Sequence, residues 1–329
     1  MKHLTIIVPD GQSSLSTVAC IVGTYEIFTR ANQYWKEAGK EELFKIDVAG
    51  VSEKAEFDNG LLAVMPQANV SDLTKTDLII IPSLVRDFQE AEKGNKVLIN
   101  WIEDRYNEGA EIASMCTGAF LLASSGLLDG KSCSTHWCAA DNFNSMFPDV
   151  ILQAEKLITD EHGIYTNGGG YSFLNLAIYL VEKYFDRQTA IYCSKIFQIE
   201  MDRQNQSAFI IFKGQKMHED EIVIKAQDYI ENNIEEKISI KKLASKFAVS
   251  RRQFDRRFIE ATGNTPFEYL QRVKVEAAKK FLEVGSQTVT EVMYRVGYSD
   301  PSAFRRVFKD ITSLSPVEYR NRYNKEAVV

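Results

Sequence analysis

Residues Lys241–Phe258 read KKLASKFAVSRRQFDRRF, and Glu291–Phe308 read EVMYRVGYSDPSAFRRVF. The two stretches share a length and a layout. Each has a short apolar-faced helix, a tight turn, and a second helix opened by Ser250 or Asp300 that carries paired arginines and closes on Phe. That is a helix-turn-helix written twice. The second helix of such a unit enters the major groove, where each base pair shows a distinguishable set of donors and acceptors.

The flanking text supplies helix starts. Ser250…Gln253, Thr265…Glu268, Thr288…Glu291 and Ser315…Glu318 fit the capping box, in which two side chains satisfy orphan N–H groups reciprocally. Pro266, Pro301 and Pro316 fall at the first helical position, where a missing N–H costs nothing. Between the two units, Pro266 to about Val284 is a single helix of 19 residues. At ~1.5 Å per residue it spans ~28 Å, close to the ~34 Å turn of B-DNA. One chain is therefore expected to present two recognition helices to successive major-groove segments.

Outward from this block the composition changes. From Asp220 to Val329 there are 20 Lys and Arg against 16 Asp and Glu, whereas residues 1–219 hold 19 against 29. A basic third on an acidic body fits a polyanion partner for the tail end. Residues 1–200 alternate short β-rich runs, Leu4–Val8, Phe44–Gly50, Leu78–Pro82 and Ala110–Ser114, with helical stretches at Ser16–Ala38 and Asp87–Asn107. Strands separated by helices predict a parallel sheet covered on both faces, with functional loops at the strands' carboxyl ends. The expected fold is an α/β N-terminal domain, a flavodoxin-like parallel sheet sandwiched by helices, followed by an all-α C-terminal domain with two helix-turn-helix units. The boundaries expected are 1–203, a polar linker 204–219, and 220–329.

The 329 residues suit two domains. No apolar run approaches the ~20 residues of a membrane span, and MKHLTIIVPDG reads as a first strand rather than a signal peptide. A cytoplasmic location is the default. Five scattered cysteines fit reduced thiols better than a disulfide framework. Cys133-Ser-Thr-His-Trp-Cys138 lacks a fourth ligand and any zinc spacing, so neither a metal nor another cofactor is expected.

EIASMCTGAFLLASSG (Glu111–Gly126) places Cys116 at the break between a strand and a helix. A thiolate there would be stabilised by the helix dipole and free N–H groups. Three readings compete: a nucleophile, a compact buried cysteine, and a pocket that binds a small effector. NGGGYS (Asn167–Ser172) lies at another strand end, its glycines allowing close backbone approach.

Residues 220–323, with the closing block VGYSDPSAFRRVFKDITSLSPVEYR (Val296–Arg320), resemble the AraC/XylS regulator domain. Ser313 stands where many members carry glycine. The resemblance implies groove-facing Arg251, Arg252, Asp255 and Arg256 in the first unit, with Ser302, Ala303 and Arg306 in the second. Lys241, Ser250 and Arg305 are expected to hold phosphates. SMCTGAFLLASSGLLDGKSCSTHW with FPDV and TNGGGYS resembles the PfpI/ThiJ superfamily, a class I glutamine-amidotransferase-like fold, and within it regulators of the GlxA type. Hydrolase-like members place His after the cysteine, where Thr117 stands, and hydratase-like members place Asp where Cys20 aligns. The resemblance thus implies no catalytic residue and an effector pocket at Glu26, Cys116, Thr117, Gly118 and Gly169, taking a nitrogenous metabolite. It also implies double-stranded DNA, RNA polymerase and a second copy of the chain as partners. The rival expectation is a cysteine-dependent hydrolase or hydratase with an accessory DNA-binding domain.

Overall fold

The computed structural model describes residues 1–11, 14–85 and 87–324, which form two compact units divided between Gln206 and Ser207. In the first unit the strands are β1 (Lys2–Val8), β2 (Phe44–Gly50), β3 (Ala55–Phe57), β4 (Leu62–Val64), β5 (Ala68–Asn69), β6 (Leu78–Ile81), β7 (Glu111–Met115), β8 (Ser132–Cys133), β9 (Ile151–Leu152), β10 (Ile158–Glu161) and β11 (Ile164–Asn167). Its helices are α1 (Leu15–Glu37), α2 (Phe88–Gly94), α3 (Lys96–Asn107), α4 (Ala119–Ala123), α5 (Ala140–Met146), α6 (Phe173–Tyr184) and α7 (Arg187–Phe197). The second unit holds α8 (Glu221–Asn232), α9 (Ile240–Lys246), α10 (Arg251–Thr262), α11 (Pro266–Val284), α12 (Val289–Arg295), α13 (Pro301–Thr312) and α14 (Pro316–Tyr323).

A seven-stranded sheet in the order β10-β11-β7-β6-β1-β2-β5 forms the first unit. All its pairings are parallel except β10 with β11. Alternate side chains of one strand enter opposite cores. Leu78 and Ile80 of β6 join the core beneath α1, α6 and α7, whereas Ile79 and Ile81 join the one beneath α2–α5. This is why Leu78–Ile81 is apolar without interruption. The stretch expected as one helix over Asp87–Asn107 is two, because Asn95 is diverted from helical geometry. Its buried side chain accepts from Asp10 N at 2.8 Å and donates to Asp10 O at 3.0 Å, with backbone φ −118°.

Residues 204–219, expected as a polar linker with one apolar anchor at Phe209–Phe212, fall on both sides of the division between the two units. Gln204 O accepts from Leu157 N, and Gln206 is fully buried, its amide donating to the carbonyls of Thr135 and Ala154. In the second unit the ion pair Glu276–Lys279 (2.7 Å) on α11 is nearly buried and also grips this segment. Glu276 accepts from Phe212 N, and Lys279 donates to Ile210 O. Polar composition marks a linker only when its groups go to water; here protein groups satisfy them.

The second unit is a duplication about a shared helix. Tyr269, Leu270 and Val273 on the first half of α11 close the core of α8–α10, while Val275, Ala278 and Leu282 on its second half enter the core of α12–α14. Equivalent residues lie fifty apart: Phe254 and Phe304, Phe258 and Phe308, Thr262 and Thr312, Tyr269 and Tyr319. Even the buried hydrogen bonds recur, with Tyr269 donating to Glu231 (2.7 Å) and Tyr319 to Glu283 (2.6 Å). Capping boxes form at Thr265, Thr288 and Ser315, while Ser250 shows the forward bond from Gln253 N at 3.2 Å. The two copies differ at the end of the recognition helix. Gly263 closes α10 at φ +68°, and Ser313 closes α13 at φ +61°, a left-handed position that strains a residue with a Cβ.

At the waist of α11, Lys274 ties one copy to the other. Its buried ammonium donates to Glu236 O (2.8 Å), in the turn before α9, and a Cβ on Gly297, in the turn before α13, would stand 2.5 Å from it. Burial pulls this lysine down to about 8. The spacing of the recognition helices therefore rests on a packed junction rather than on α11 alone.

Candidate functional site

Most of the residues expected to meet DNA lie on the surfaces of α9, α10 and α13. Arg251, Arg252, Arg256, Ser302, Arg305 and Arg306 are exposed, Asp255 and Ala303 are half-buried, and Lys241 is exposed on α9. Their apolar faces, Phe254 and Phe258 on α10 and Phe304 and Phe308 on α13, are fully packed. The basic residues consequently lie on the outward face of each helix. Ser250, expected at phosphate, is the N-cap of α10, and Asp300 caps α13 by accepting from Ser302 N at 2.8 Å. Arg256 and Arg306 hold the same place in the two copies. Between them and the core the chain makes a sharp distinction. Arg257, next to Arg256, donates through two nitrogens to Asp220 at 2.7 and 2.8 Å. Asp220 in turn caps α8, and its carboxyl is held below the usual range, first by that guanidinium. Arg257 is thus a clamp between α8 and α10, a role that sequence spacing did not reveal.

The Cys116 turn in the first unit is built differently from its expectation. Cys116 adopts φ +56°, a sharp elbow between β7 and a single 3-10 turn, and the helix that follows has only five residues. Thr117 is clasped by the loop after β6: its hydroxyl accepts from Leu84 N (2.9 Å) and donates to Leu84 O (2.8 Å). Cys116 O accepts from Thr135, and Cys20 donates weakly to Ser83 in the same loop. Gly118 fits where no Cβ can, since an added Cβ would lie 2.5 Å from Pro82 O. The thiol is buried, and burial pushes it up to about 12, with the neighbouring Cys20 adding to the shift. Desolvation therefore outweighs any benefit from the short helix, contrary to the dipole argument.

Glu26 does not join this group. The buried face of α1 carries Cys20, Thr24, Ile27 and Ala31, and Glu26, two residues past Thr24, falls on the exposed side. Gly169 lies in the loop after β11 at φ +90°, packed near Ser172. Beside it in the register, Asn167 pairs with Met115 and keeps a buried Oδ1 with no hydrogen-bond partner among the described residues. A cleft of about 440 Å³ lies elsewhere in this unit, lined by Ile158, Asp160, Tyr179, Arg187 and Met201 among others.

The DJ-1/PfpI family matches residues 22–182, and the helix-turn-helix domain family matches residues 243–322. The chain joins a DJ-1/PfpI domain to an AraC-type helix-turn-helix domain. It is 23% identical to the HTH-type transcriptional regulator GbdR of Pseudomonas aeruginosa over 92% of this chain and 81% of that protein. It is 26% identical to the HTH-type transcriptional regulator GlxA of Rhizobium meliloti over 65% of this chain and 66% of that one. The DJ-1/PfpI fold is also seen in the crystal structure of Drosophila melanogaster DJ-1beta, at TM-score 0.50 and 15% identity, covering 60% of this chain and 98% of that one. No helix among the described residues is long and apolar enough to cross a membrane.

The state of the DJ-1/PfpI cysteine is directly measurable. Cys138 is exposed, while Cys20, Cys116, Cys133 and Cys193 are buried. Iodoacetamide at pH 7.5 is expected to label the native protein at Cys138 alone, and Cys138→Ser to abolish fast labelling. Peptide mass spectrometry showing rapid alkylation of Cys116 would restore the nucleophile.

Proposed function

We propose that the chain is a sequence-specific transcription regulator in which α10 and α13 read successive major-groove segments of one duplex and the DJ-1/PfpI domain is the responsive part. The observation that carries this reading is the duplication: two packed copies on one 19-residue helix, each exposing an arginine at the same position, Arg256 and Arg306. The relatives GbdR and GlxA, both named as transcriptional regulators, support it. In this reading Lys241 and Arg305, both exposed, hold phosphates. The regulator works in the cytoplasm, where its DNA and RNA polymerase are, and as a homodimer it would pair two such heads on adjacent half-sites.

The DJ-1/PfpI domain performs no turnover in this reading, because Cys116 is buried, held protonated, and has Thr117 where a histidine would serve as base. The effector site centres on the Cys116–Gly118 turn and Gly169. Asn167 Oδ1, a buried acceptor lacking a partner, suits a ligand that brings N–H groups, such as a nitrogenous metabolite.

Footprinting of the full chain on duplexes selected from a randomised pool tests both halves. Two protected blocks about one helical turn apart are expected, with protection altered by a nitrogenous metabolite from a panel of amines and amino acids. A single block would refute two-unit reading, and an unresponsive footprint across the panel would refute the effector.

A further inference from the structure

Four arginines lie on α10, and the structure holds them in different ways. Arg257 is consumed by Asp220, as described. Arg256 meets Glu260 only loosely, at 3.7 Å, with both side chains largely exposed. Arg252 is exposed. Arg251 alone is gripped by an acid on the recognition face itself. Its Nε stands 2.8 Å from both carboxylate oxygens of Asp255, one turn along the helix. This engages the Nε edge of the guanidinium and leaves the two terminal nitrogens without a hydrogen-bond partner among the described residues.

An acid on a surface that approaches phosphate is repelled by it, so Asp255 weakens binding unless it does something in return. Helix stability does not explain it: exposed ion pairs of this spacing contribute little. Nor is it a feature of the fold, because the equivalent positions in α13 are Pro301 and Arg305. We infer that Asp255 is a positioning residue for sequence readout, holding Arg251 so that its terminal nitrogens form a fork aimed at one guanine edge. A pre-set fork loses less conformational freedom on binding than a free arginine. The first unit would then carry a discriminating contact that the second lacks, making the site read by one chain asymmetric. This inference rests on the DNA-reading function proposed above.

The test uses the full chain and the duplex it selects from a randomised pool, with every single-base variant of that duplex. Arg251→Ala and Asp255→Ala are each expected to lose about tenfold or more of the discrimination at one and the same base pair. The double variant should lose no more than either single one, the mark of residues acting as a unit. Asp255→Asn, which keeps the shape without the charge, should fall between. Tighter binding of Asp255→Ala to all duplexes with unchanged base preferences would overturn the inference, since the acid would then be merely repulsive. A changed preference at a different base pair would overturn it too, because Asp255 would itself be the reader. If Arg256→Ala destroys discrimination while neither Arg251 nor Asp255 variants alter it, DNA reading stands and the positioning role falls. If the wild-type chain selects no duplex, both fall together.

Discussion

Replacing Arg256 and Arg306 together with alanine is expected to weaken binding of the selected duplex by about 10²–10⁴-fold, and each single replacement by about 10–100-fold. The two side chains occupy equivalent places on α10 and α13, both exposed, above cores that fix the helices beneath them. Each arginine suits a bidentate contact to guanine. The losses should multiply, because the copies sit far enough apart on α11 to act on separate base pairs. A gel-shift titration at fixed salt measures this, and the salt must be stated because phosphate contacts dominate the total. Arg257→Ala is the informative contrast. Its guanidinium spans α8 and α10 through Asp220, so that variant should lower the melting temperature of the second unit and leave the base preferences of the folded fraction intact. Unchanged affinity in the Arg256/Arg306 double variant would refute the assignment of the reading face.

The second large effect concerns the DJ-1/PfpI domain. Gly118→Ala is expected to destabilise it by about 2–3 kcal/mol, the upper part of the ~1–3 kcal/mol usual for an overpacked core site. Intrinsic propensity predicts the opposite sign. Gly118 has φ −57°, a helical value, and alanine in an open helix would stabilise by up to ~1 kcal/mol. Tertiary contact decides the matter: the added Cβ would lie 2.5 Å from Pro82 O and 2.8 Å from Ile81 O. Both are backbone atoms at the end of β6, so no side-chain rotation relieves the clash. For a unit of this size the melting transition should fall by about 5–10 °C, followed by calorimetry on the full chain. An unchanged or raised transition would show that the contact between Gly118 and the end of β6 is looser than described.

Much of the DNA-reading half was legible in the sequence because its signals are local. A capping box operates over three residues, a proline at the first helical position over one, and helical periodicity over four. Thr265, Pro266 and Glu268 therefore announce the start of α11, and its observed bounds, Pro266–Val284, are those expected. The same locality failed at Asn95, where a bond to Asp10 across the fold interrupts a helix that periodicity carries through. At 204–219 local composition also did not show that Gln206 donates to Thr135 O or that the backbone of Phe212 donates to Glu276.

The Cys116 turn was less legible, for a related reason. The sequence placed Cys116 at an elbow correctly, and a thiol at a helix start is ordinarily activated. Whether it ionises depends on what is packed around it, and that includes Cys20 of α1, far away along the chain, while Leu84 of the loop after β6 clasps the neighbouring Thr117. Glu26 was within reach of sequence reasoning, since its position relative to Cys20 and Thr24 already puts it on the other side of α1.

The sequence by itself determined the two-domain order, the duplicated reading unit and the length of helix between its copies, all consequences of short-range hydrogen bonding and periodicity. The resemblance singled out Arg256 for the groove, but only the tertiary structure gave the neighbouring Arg257 its own role. Arg256 is free to meet a partner, and Arg257 is not, because Asp220 lies 37 residues earlier in the chain yet within 2.8 Å in space. It likewise decided that Cys116 is a protonated, enclosed thiol, since desolvation is a property of everything packed around an atom and of no single stretch of text.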